Sequence, residues 1–77
     1  MLSQELESKV IDLLNAKTQG ITIALLSEKL NVSRDTMISV LAKMHGKKLI
    51  LVKKIGLAKL IFLKEKVLDE SEFVNKV

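Results

Sequence analysis

Seventy-seven residues make room for a single domain, one small enough that folding buries only a modest core. The chain has no cysteine, which excludes disulfides, thiolate metal sites and cysteine nucleophiles together. The net charge of +4 is unevenly laid: residues 1–42 sum to −1, residues 43–66 carry eight lysines against Glu65 alone for +7, and residues 67–77 return to −2.

A basic block that the acidic residues avoid points to a polyanionic partner. The alternative, a lysine-rich solvated surface, gives no reason for that avoidance. Apolar residues make up 48% of the chain, with a mean hydropathy of +0.27, a large share for so little interior. The surplus implies either a surface for a second subunit or an unusually tight core. Residues 1–10 hold Glu5 and Glu7 and no long apolar run, so no secretory leader is expected. The longest apolar runs, Leu49–Val52 and Leu60–Leu63, are too short to span a bilayer, and the expected compartment is the cytoplasm.

In chain order, the first helix is predicted from Ser3, a good N-cap, to Ala16, with Leu6, Val10, Leu13 and Leu14 on its buried stripe. Leu2 and Ile11 lie at its margins, and Leu2 is also placed to reach a second subunit. Lys17 to Gly20 is a loop in which Gly20 permits a left-handed backbone. Ile21 forms a one- or two-residue strand, and Thr22 caps a second helix from Ile23 to Leu30, where Ile23, Leu26 and Leu30 share one side. Leu25 stands where a capping-box glutamate would, so it is either packed under the first helix or exposed for contact.

Asn31-Val32 breaks the helical period, with Val32 filling the angle between helices. Ser33 then caps a third helix running to about His45, and its stripe is Met37, Val40, Leu41 and Met44. Two helices joined by so short a turn form a helix-turn-helix, whose second helix fits a DNA major groove. The outward positions of that helix are Arg34, Asp35, Ile38, Ser39, Ala42 and Lys43. Gly46 closes it, and the single histidine, His45, is a dipole partner at its C-terminus rather than a metal ligand.

Lys47 and Lys48 lead into a strand from Leu49 to about Lys54. A turn at Ile55-Gly56-Leu57-Ala58 and a strand from Lys59 to about Lys64 complete a β-hairpin. Asp69 with Glu72 three residues later reads as a capping box for a last short helix bearing Phe73, Val74 and Val77. That helix is too short to stand alone and docks on its own domain or on a sister subunit.

The stretch from Thr22 to Ile50 resembles the helix-turn-helix of winged-helix transcription regulators of the MarR and Lrp kind. The residues that carry the likeness are Thr22, Ile23, Leu26, Ser27, Leu30, Val32, Ser33, Thr36, Met37, Leu41 and Met44, closed by Leu49-Ile50. The resemblance implies an α+β fold, mainly helical, over residues 1–77 as one domain: three helices, a β-hairpin wing and a short C-terminal helix. It implies a homodimeric regulator of transcription on double-stranded DNA, with the third helix in the major groove.

On that reading Ser33, Arg34, Asp35, Ile38, Ser39, Ala42 and Lys43 are the DNA-binding residues of the third helix. Arg34 suits a guanine edge or a phosphate, Ser39 either, and Ile38 and Ala42 thymine methyls. Lys47, Lys48, Lys53, Lys54 and Lys59 hold phosphates. The family usually places polar residues at the positions of Ser39 and Val40 and an arginine in the wing, and this chain departs from both. Ile38, Ala42, Leu25 and the apolar wing tip therefore also fit a second reading, a protein-interaction module within a larger assembly. No enzyme constellation, phosphate loop, cofactor or metal motif, aromatic stacking platform or effector site is expected from these residues.

Overall fold

Two hydroxyl side chains decide where two of the three helices begin. In the computed structural model, which describes residues 3–77, the Thr22 hydroxyl accepts from the Leu25 backbone N–H at 3.2 Å and that of Ser33 accepts from Thr36 at 3.1 Å. Both caps have extended backbones, as an N-cap must, and each satisfies a donor that the helix itself leaves free. The elements are α1 (Ser3–Ala16), β1 (Ile21–Thr22), α2 (Ile23–Leu30), α3 (Arg34–Gly46), β2 (Ile50–Ile55) and β3 (Ala58–Leu63), then a single 3₁₀ turn, Lys64–Lys66. The expected contact of Leu2 with a second subunit lies outside the described residues.

Asn31 ends α2 in the left-handed region at φ +54°, which asparagine tolerates, and its N–H returns to Ser27 and Glu28. The end of α3 departs from expectation. Gly46 stays helical, and Lys48 takes the positive φ, +61°, while the Leu49 N–H reaches back to the Met44 carbonyl at 3.0 Å. A Cβ on Gly46 would meet nothing within 4 Å. Gly46→Ala is therefore expected to stabilise the fold by about 0.5 kcal/mol, through lower unfolded-state entropy and better helix propensity. A melting-temperature rise of about 2–4 °C checks it.

The sheet is antiparallel in the order β1-β3-β2. Its register pairs Ile21 with Ile61, Val52 with Ile61 and Ile50 with Leu63, so alternate residues of each strand face the helices. The core consists of Leu6, Val10 and Leu14 of α1, Ile21, Ile23 and Leu26, Met37, Val40, Leu41 and Met44 of α3, and Ile50, Val52, Ile61 and Leu63 of the sheet. Leu13 and Ile11 pack at its margin, and so do Leu25, Leu30 and Val32. Leu25 thus resolves toward packing. Ser27, buried within α2, donates its hydroxyl to the Ile23 carbonyl at 2.9 Å and leaves no orphan polar group there. The β2–β3 hairpin turns on two residues. Gly56 at φ +60° leads and Leu57 follows without positive φ, the pattern of a type II′ turn.

The expected last helix does not form. The Asp69 carboxylate accepts from the Ser71 N–H at 3.0 Å, two residues on, instead of capping a helical turn. The Ser71 N–H and hydroxyl hold that carboxyl below the usual carboxylate range. The Val74 N–H is used elsewhere, donating to the Val52 carbonyl at 2.8 Å in an antiparallel bridge on the free edge of β2. An isolated two-turn helix carries the full nucleation cost, whereas the edge of β2 offers a carbonyl already in place.

Candidate functional site

α3 presents Arg34, Asp35, Ile38, Ser39, Ala42 and Lys43 to solvent while Met37, Val40, Leu41 and Met44 are buried, so its outward face is the expected one. Ser33 is committed to structure. Besides capping, its hydroxyl donates to the Thr36 hydroxyl at 2.9 Å. Among the described residues neither the Arg34 guanidinium nor the Ser39 hydroxyl is engaged by another group of the chain. Beside this face runs a groove. One wall is Arg34 and Ile38, the other is Leu57, Ala58 and Lys59 of the hairpin, and Thr22 to Ala24 close one end.

The register decides which hairpin lysines look toward the groove. Lys54 and Lys59 are direct cross-strand partners on the same face as Val52 and Ile61, the face that carries the helices. Two like charges placed opposite one another in a ladder are destabilising, by about 0.2–1 kcal/mol. Nothing in the core requires either residue to be a lysine, and an anion between them would turn the repulsion into attraction.

Lys53 has the opposite parity and points to the outer face, where its ammonium lies 2.9 Å from Glu72. Strand alternation thus puts Lys53 and Lys54, both expected to hold phosphates, on opposite faces of the hairpin. Glu72 is well exposed, so that pair contributes at most about 1 kcal/mol and is easily displaced.

Lys47 is a different case. It lies 3.1 Å from Glu7, whose side chain on α1 is only 12% exposed. Without Lys47 a nearly buried carboxylate would lose its charged partner among the described residues, so Lys47 belongs to the fold more than to a binding surface. Lys48 sits apart, in a shallow groove with Ile11, Leu49, Lys64 and Glu70. The structure therefore brings Arg34, Ile38 and Lys59 together in the groove, with Lys54 across the ladder from Lys59, and continues along α3 through Ser39, Ala42 and Lys43, while Lys47, Lys48 and Lys53 are directed elsewhere.

Several groove residues were not expected there. Thr22 and Ala24 line it because α2 begins beside α3, and Val77 lies in it as well. The hairpin tip is apolar and open: Leu57 is fully exposed and Ile55 half exposed. Among the described residues no three His, Cys, Asp or Glu groups converge as a metal site would need, and no helix is long and apolar enough to cross a membrane. Compared with known protein families, curated proteins and solved structures, the chain finds no match.

Proposed function

We propose that this protein is a winged-helix transcription regulator that binds double-stranded DNA. In this reading α3 enters the major groove, and the β2–β3 hairpin is a wing held against the phosphate backbone. The observation that carries it is the facing pair Lys54 and Lys59, set on the helix side of the sheet beside the groove whose other wall holds Arg34. Arg34 reads a guanine edge, Ser39 bonds a base or phosphate, and Ile38 and Ala42 contact thymine methyls. Lys43 continues the phosphate contacts. Asp35, near the start of α3, discriminates by accepting from a cytosine amine. As a homodimer the protein spans half-sites about 34 Å apart.

The test is titration of duplex DNA, both random and selected from a random pool, at two salt concentrations. Arg34→Ala is expected to weaken the selected site about tenfold, the low end of the range for a bidentate base contact, and random duplex much less. Equal losses on both would make Arg34 a phosphate contact.

The open apolar tip at Ile55 and Leu57, with the half-exposed Ile38, favours a second reading as a protein-interaction module. Affinity that hardly changes with salt would select that reading. A steep log–log decline, about 0.9 for each phosphate held, selects DNA.

A further inference from the structure

The stretch from Asp69 to Val77 is a strap wrapped around the free edge of the sheet. On the outer face Phe73 sets its ring edge-on to Phe62, with centroids 5.3 Å apart and planes at 86°. At the edge the Val74 N–H holds the Val52 carbonyl and Glu72 holds Lys53. Beyond the edge, Val77 is half-buried in the groove between α3 and the hairpin, against the same Arg34, Ile38, Leu57 and Lys59 that the functional reading assigns to DNA. The strap carries Asp69, Glu70 and Glu72 against Lys76, a negative segment laid beside the most basic part of the chain.

We infer that residues 69–77 act as a built-in competitor: the strap sets Val77 into the groove and its carboxylates beside the basic hairpin, and a DNA duplex must displace it to seat fully. This rests on the DNA-binding reading above. The attachment suits displacement. It consists of one edge hydrogen bond, one exposed ion pair, one aromatic contact and the half-buried Val77 at the margin of the core, with Glu72, Val74, Asn75 and Lys76 all exposed. Segments held by so few buried contacts open at low cost. The strap's own carboxylates also repel an approaching duplex. A protein that is binding-competent only in the strap-released fraction has its apparent affinity reduced by that fraction.

The test uses the full chain. Glu72→Gln with Val74→Pro removes the ion pair and the edge donor at two exposed positions, and an edge strand tolerates proline. On a random 20-base-pair duplex the double variant is expected to bind about tenfold tighter, as for a strap closed about nine-tenths of the time. In the unaltered protein, hydrogen exchange at the Val74 amide should quicken when duplex is added while the amides of α3 slow.

Unchanged or weaker affinity in the double variant, or a Val74 amide equally or better protected on DNA, overturns the strap and leaves the DNA reading intact. Failure of both proteins to bind duplex at low salt removes the DNA reading, and the inference with it.

Discussion

Gly20→Ala is expected to destabilise the fold by about 3 kcal/mol, through two independent mechanisms. Gly20 has φ +96°, a backbone that L side chains rarely adopt, and it sits there because the chain turns from α1 into β1 through a Gly20 N–H to Lys17 carbonyl bond of 3.2 Å. A Cβ at that point would also lie 2.7 Å from Cζ of Phe62 and 3.0 Å from both Cε atoms. Phe73 packs edge-on against the same ring, so moving it aside also costs that contact. Backbone strain contributes about 1–2 kcal/mol and overpacking about as much again.

In a domain this small the total stability is on the order of 5–10 kcal/mol, so the variant loses a large fraction of it. The melting temperature should fall by on the order of 15 °C. A double-mutant cycle with Phe62→Leu separates the mechanisms: relief of the clash appears as a coupling of at least about 1 kcal/mol, and the backbone part persists. A Gly20→Ala cost below about 1 kcal/mol would show that neither the turn nor the ring contact is as described.

Lys54→Glu with Lys59→Glu is the change expected to act most strongly on duplex binding. Each neutralised phosphate accounts for about 0.9 decade of affinity per decade of salt, so losing two costs about 60-fold at 0.1 M relative to 1 M, before any repulsion from the new carboxylates. The two residues face each other across the ladder and both are accessible at the open end of the hairpin, so stability should change by only a few tenths of a kcal/mol. The decisive comparison is with Lys47→Ala. If Lys47 belongs to the fold through Glu7, that variant loses stability while keeping its salt slope. A hairpin variant that binds duplex as tightly as the original protein would remove the hairpin from the interface.

The local elements were legible because their causes are local. Thr22 and Ser33 announce two helices by chemistry that acts within three residues. The spacing of Met37, Val40, Leu41 and Met44 implies which side of α3 is buried, whatever it is buried against. Gly20 and Gly56 could be assigned positive φ from residue type and position alone. The exposed row of α3 followed as the complement of its stripe.

What tertiary structure decided are the pairings between distant parts of the chain. The charge count made residues 43–66 one basic block, but a sum along the chain carries no direction. Only the ladder and the position of α1 assign Lys54 and Lys59 to one face, Lys53 to Glu72 and Lys47 to Glu7, the last partner forty residues away in sequence. At Asp69 to Val77, local capping chemistry lost to a contact it could not anticipate. A short helix would have left its first N–H groups to caps and water, whereas the edge carbonyl of Val52 and the ring of Phe62 were available at the sheet edge. Residue type and spacing determine what a segment can do alone, and for so short a segment the neighbours it meets on folding determine which option is lower in free energy.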